Sequence, residues 1–260
     1  MIPVETRTRG ALVGINPVAR LAAALLIALP LVVTIDWVSG LAALVLEIPL
    51  VVASGIGWRA FWVRTAPIWI AAPLTAVSIA LYGAQGGETH FHWWLMNVSD
   101  GSLELAAATF LRILAIAIPG VVLFSGVDPT DLADGLAQRA KLPARFVLGA
   151  LGGMRLVGLL VSDWRELETA RRARGVADRG RIRRLVGMAF SLVVLAIRRG
   201  SHLATAMESR AFGAAGERTW ARESTWGARE WILMAAGLAI SAAALAITTA
   251  TGHLNIIVGQ

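Results

Sequence analysis

The chain has 260 residues, 57% of them apolar, and a mean hydropathy of +0.67, too apolar for an ordinary soluble domain and typical of a polytopic membrane protein. The net charge of +7 resides entirely in residues 126–230, which hold 18 of the 24 basic and 11 of the 17 acidic side chains. The absence of cysteine excludes disulfides, thiolate catalysis and Cys-based metal sites. Every basic residue but Lys141 is arginine, which favours planar, bidentate contacts with carboxylates or lipid phosphates.

Met1–Arg20 followed by Leu21–Ile35 reads as an uncleaved first span, since no small-residue cleavage site follows. A helix needs roughly 20 apolar residues to cross about 30 Å of hydrocarbon. Four runs before the basic region meet or approach that length: Pro17–Ile35, Val38–Ile56, Ala60–Tyr82 and Leu103–Phe124. A fifth, Trp231–Ala250, follows it. Arg7, Arg9, Arg20, Arg59 and Arg64 flank one set of ends, whereas the Gly83–Ser102 connection carries Glu88 and Asp100 but no basic residue. The positive-inside rule then predicts a cytoplasmic N-terminus and an external C-terminus. Trp58, Trp62, Trp93, Trp94, Trp226 and Trp231 sit near span ends, as interfacial anchors do.

Two charges fall inside spans, Glu47 in the second and Arg112 in the fourth, and an ion pair between them is the expected remedy for charge at that depth. In the Gly83–Ser102 connection, Glu88, His90 and His92 form a weak candidate for a divalent cation site; interfacial polarity beside the tryptophans is the competing explanation.

The basic region opens on Asp128-Pro129-Thr130-Asp131, an N-cap, a proline at the first helical position and an acid in the first turn. A short helix to about Ala140 is predicted, broken at Leu142-Pro143. Pro143 opens a long segment to Gly175, with Gly149, Gly152, Gly153 and Gly158 in its apolar half and dense charge from Ser162 to Arg174. After Asp178–Arg184 a further helix carries Leu185–Ile197, thirteen residues or about 20 Å, and ends near Phe212-Gly213. These two helices are expected to lie against the cytoplasmic membrane face and to cross at their small-residue halves. Gly175 and Gly213 are the predicted terminators, with Arg210 in the less sharply ended helix. The fold expected is all-α, with about five transmembrane helices and a cytoplasmic coupling domain. It divides into a membrane domain (1–125), coupling helices (126–226) and a C-terminal span (227–260).

Catalytic signatures are missing. There is no Gly-x-x-x-x-Gly-Lys-Ser/Thr, so the chain is not itself a P-loop ATPase, and no Gly-x-Ser-x-Gly, His-Glu-x-x-His or strand-linked Gly-x-Gly-x-x-Gly. Asp128, Asp131 and Asp134 could bind metal in a membrane enzyme acting on lipid-linked or prenyl substrates, although a helix start explains them too. Interleaved acids, and a position between spans, argue against nucleic acid and for membrane lipids as partners of the arginines.

Two stretches 36 residues apart, Ala173-Arg174-Gly175 and Ser209-Arg210-Ala211, end the two long segments. Together with Asn16-Pro17-Val18-Ala19-Arg20-Leu21, Pro129-Thr130-Asp131-Leu132 and Leu142-Pro143, they resemble the transmembrane T component of energy-coupling factor (ECF) transporters, ABC-type importers of vitamins and transition-metal ions in bacterial and archaeal plasma membranes. The resemblance covers essentially the whole chain. It implies a non-catalytic scaffold that couples two ABC ATPase subunits, which bind the ATP and Mg, to a membrane-embedded substrate-binding S component. It also implies that Ala173, Arg174, Gly175 and Ser209, Arg210, Ala211 dock into grooves on the ATPases, the arginines reaching acidic groups. Ser209 and Ala211 depart from the family's commoner Ala and Gly. The runner-up, the permease of a conventional ABC importer, lacks its Glu-Ala-Ala loop, because Ala133-Asp134-Gly135 and Leu142-Pro143 lie too close together.

Overall fold

The computed structural model describes residues 10–83, 86–93, 96–175, 180–213 and 219–252. Its helices are α1 (Pro17–Val33), α2 (Trp37–Ala53), α3 (Trp58–Tyr82), α4 (Asp100–Phe124), α5 (Pro129–Gln138), α6 (Ala144–Ala173), α7 (Arg181–Ser209) and α8 (Ala228–Ala250). Between α3 and α4, where the sequence predicts no element, β1 (Thr89–Trp93) and β2 (Met96–Ser99) pair as a short antiparallel hairpin. The other regular elements among the described residues are helices, and the chain forms two compact units, Met1–Asp128 with Thr225–Gln260, and Pro129–Ser224.

In the first unit the helix starts follow from local capping. Asn16 Oδ1 accepts the Val18 N–H at 3.0 Å with Pro17 in the first turn, and Ser99 and Ser102 cap each other's backbone at the start of α4. The start of α8 is tied to that of α1. The Glu230 carboxylate accepts from the Gly227 N–H at 2.8 Å and the Asn16 N–H at 3.1 Å, and Asn16 Nδ2 donates to the Thr225 carbonyl at 2.9 Å.

Every fourth residue of α1, from Ala19 through Ala23 and Ile27 to Leu31, is buried, and α8 answers with Leu233, Gly237, Ser241, Ala244 and Thr248. The axes close up where side chains are smallest: a Cβ on Gly237 would meet the Ala23 carbonyl oxygen at 3.0 Å, and one on Gly40 of α2 would meet Leu111 Cβ of α4 at 2.9 Å. Helix α4 packs against α1, α2 and α3, placing Leu114, Ile118 and Val122 against Ala72. The outer faces are apolar and exposed, as at Val52, Ile70 and Leu74, which suits contact with lipid. Prolines lie inside α1, α2, α3 and α4.

Five described helices are long and apolar enough to cross a membrane: α3, α4, α6, α7 and α8. The number agrees with the sequence expectation but the membership differs. Helices α1 and α2 stop at 17 residues each, about 25 Å, because Thr34 turns extended and Asp36 caps α2 immediately. That is the lower end of the spanning range. Helices α6 and α7, with 30 and 29 residues, qualify on length and composition.

In the second unit α5 packs on α6 and α6 on α7. Asp163 of α6, buried, holds Arg199 of α7 at 2.8 Å. Glu168 pairs with Arg172 at 2.7 Å and lies 3.9 Å from Arg184. Gly187 leaves room for the Arg171 guanidinium, and Gly152 faces Leu203. The returning segment is clamped by Gln138, whose amide donates to the Arg222 carbonyl and accepts from the Ser224 N–H, both at 2.8 Å.

Candidate functional site

The two arginine-centred stretches fold into the same kind of helix end. Arg174 is the last residue of near-helical backbone on α6 (φ −86°, ψ 4°), as Arg210 is on α7 (φ −95°, ψ 20°). The next residue turns left-handed in both: Gly175 at φ +66° and Ala211 at φ +55°. The Gly175 N–H returns to the Arg172 carbonyl at 3.0 Å and the Ala211 N–H to the Glu208 carbonyl at 2.9 Å. In α7 the Phe212 N–H also reaches the Met207 carbonyl at 3.0 Å, completing a Schellman closure. The expectation of a blunter second end is therefore corrected. Ala211 itself, not Gly213, supplies the left-handed turn, because the backbone bonds of the closure outweigh the discomfort of its methyl group.

Ala173, Arg174 and Gly175, and likewise Ser209, Arg210 and Ala211, are all exposed. Among the described residues neither the Arg174 nor the Arg210 guanidinium has a hydrogen-bond or ion-pair partner. Their neighbours are occupied: Arg172 and Arg184 by Glu168, Arg199 by Asp163, and Arg171 against Gly187. Each end thus offers an uncommitted guanidinium on a fixed turn, a geometry suited to bidentate capture of a carboxylate.

The expected Glu47–Arg112 pair does not form. Gly40 packs against Leu111 and the Arg112 backbone, which sets the α2–α4 register and leaves Glu47 seven residues away, about 10 Å along α2. Arg112 instead donates to the Val32 carbonyl, in the last turn of α1 where carbonyls lack helical partners. The Glu47 side chain is 1% exposed, and neither carboxyl oxygen has a hydrogen-bond partner.

Of the weak metal candidate, Glu88 is exposed and its N–H donates to Asp100 Oδ2 at 3.3 Å, while the side chains of His90 and His92 lie outside the described residues. Among the described residues no three His, Asp or Glu side chains gather as a metal site. Of the acid cluster, Asp131 is bound by Arg222, whose Nε is 3.9 Å from Asp134 Oδ2. Two structural residues went unpredicted: Glu230, which joins the starts of α1 and α8, and Asp163, which joins α6 to α7. Their signal was present, an acid three residues after Gly227 and an acid at the apolar-to-charged junction of α6.

A profile of the family described as cobalt transport protein, CbiQ, matches residues 10–220. Proteins described as energy-coupling factor transporter transmembrane protein EcfT are similar over most of the chain. That of Limosilactobacillus fermentum is 26% identical over 200 residues, covering 72% of this chain and 74% of its own. That of Lactobacillus helveticus is 27% identical over 197 residues, 71% of each chain. That of Lactococcus lactis subsp. cremoris is 27% identical over 212 residues, 76% of this chain and 79% of its own. With its bundle of apolar helices and its paired helix ends, the chain belongs to the CbiQ family, the transmembrane T components of energy-coupling factor transporters.

Proposed function

We propose that this T component is the scaffold and coupling subunit of an ECF-type importer of a vitamin or a transition-metal ion. Its α6 and α7 ends dock two ABC ATPase subunits through Arg174 and Arg210. The observation that carries the proposal is the matched pair of helix ends, each presenting an exposed, uncommitted arginine on a left-handed closure. Each arginine would form a charge-assisted bond with an acidic group in an ATPase groove, and truncating a desolvated pair of that kind costs about 2–5 kcal/mol. ATPase closure on ATP and Mg then moves α6 against α7. A separate S component, seated on apolar surface such as the exposed Val186, Phe190 and Val193 of α7, is reoriented by that movement. This chain performs no chemistry of its own and lies with its N-terminus and coupling helices in the cytoplasm and its C-terminus outside.

The test is charge reversal at both ends, Arg174→Glu with Arg210→Glu, in the co-expressed complex. The double variant is expected to reach the membrane folded, as judged by its thermal midpoint, yet to lose both ATPase subunits on purification and to abolish ATP-driven uptake. Assembly and uptake at wild-type levels would refute the docking role. The membrane-enzyme alternative gains nothing, since Asp131 and Asp134 face Arg222.

A further inference from the structure

The second surface that bears on function lies in the first unit, beside the seam of α8 with α1, with Leu233 lining it as well as the seam. Helices α2 and α8 and the segment leading into α1 enclose a groove of about 740 Å³, with Leu46 and Leu50 on one wall, Ile232, Ala236 and Ile240 on the second and Leu12 to Ile15 closing it. One charged residue, Arg229, stands on the described lining. We propose that this groove binds an anionic phospholipid, with the phosphate on Arg229 and one acyl chain along the α2–α8 walls. The site is independent of the docking roles of Arg174 and Arg210.

Length, depth and charge support one another here. From Arg229 to Ile240 is eleven residues of helix, about 16 Å. That is half of a hydrocarbon core of about 30 Å, the reach of a chain within one leaflet. The Trp226 and Trp231 rings, paired edge to face at 5.9 Å, bracket Arg229 in the sequence and mark headgroup depth. Arg229 is exposed and has no hydrogen-bond or ion-pair partner among the described residues. The adjacent Glu230 does not compete for it by hydrogen bond, because its carboxylate is buried and spent on the Gly227 and Asn16 amides. The first turn of α8 adds its own partial positive charge at the same level.

Native mass spectrometry of the purified full-length chain, titrated with phosphatidylglycerol or phosphatidylcholine, tests the assignment. The wild type is expected to retain phosphatidylglycerol in preference. Arg229→Gln, at an exposed position, should weaken phosphatidylglycerol about fivefold, toward the phosphatidylcholine level, as removal of one interfacial arginine does. Ala236→Phe, which fills the groove, should lower retention of both lipids without shifting the thermal midpoint. An unchanged preference in Arg229→Gln overturns the headgroup assignment, and unchanged retention in a folded Ala236→Phe overturns the groove. Loss of the wild-type preference only when partner proteins co-purify would make the groove a protein-docking face, and the proposal would fail.

Discussion

Exchanging the two residues that turn left-handed tests whether the helix ends are equivalent. At Gly175 a Cβ would meet nothing within 4 Å, so Gly175→Ala introduces no clash, and its effect is the backbone penalty of an L-residue at φ +66°, less the freedom that glycine has in the open state. That penalty is about 1 kcal/mol. At Ala211 the same penalty is already present at φ +55°. Ala211→Gly should relieve it, less the greater freedom of glycine in the open state, for a net gain of about 0.5 kcal/mol. Hydrogen exchange reads both changes as opening of the last turn. The Arg174 amide, bonded to the Ala170 carbonyl at 3.2 Å, should exchange about twofold faster in Gly175→Ala. The Phe212 amide, bonded to the Met207 carbonyl at 3.0 Å, should exchange about twofold more slowly in Ala211→Gly. Equal rates in Gly175→Ala and wild type, or faster exchange in Ala211→Gly, would refute the shared closure.

Across the α6–α7 contact, Arg199→Ala should destabilise by about 2–4 kcal/mol because it strands the buried Asp163 carboxylate, whereas Asp163→Ala leaves a half-exposed arginine that water can reach and costs less; tryptophan-fluorescence melting of both variants and their double would show the reverse order if the reasoning is wrong. Gly237→Leu should separate α8 from α1 by driving a side chain into the Ala23 backbone, lowering the thermal midpoint by the equivalent of about 1–3 kcal/mol, while Gly120→Ala, where a Cβ meets nothing, should leave it within about 0.5 kcal/mol. Glu47→Leu should raise the midpoint, by about 1–3 kcal/mol, since it removes two buried oxygens that nothing satisfies; a fall would reveal a partner for that carboxyl.

The fold was legible where local chemistry decides it. Asn16-Pro17 and Pro129 start helices, Gly175 stops one, and the apolar runs become helices with ends a few residues from those predicted. What could not be read were relations between helices. Glu47 and Arg112 look like partners because each lies inside an apolar run, yet the pairing depends on axial register, and the close approach of Gly40 to Leu111 sets a different one. The left-handed Ala211 was hidden for a related reason: its intrinsic preference points the other way, and only the closing bonds of Glu208 and Met207 show why it turns. Of the candidate site, the arginines themselves were plain from their repeated context, while their lack of partners depends on which acids the neighbouring arginines occupy.

The prolines sort the helices by mechanical compliance. Helices α1 through α4 each contain at least one, and a proline removes a backbone bond and opens a point of bending. Helices α6 and α7 contain none over about 45 Å and 43 Å. Helices α6 and α7, like α8, therefore lack the built-in bending points that proline gives α1 through α4.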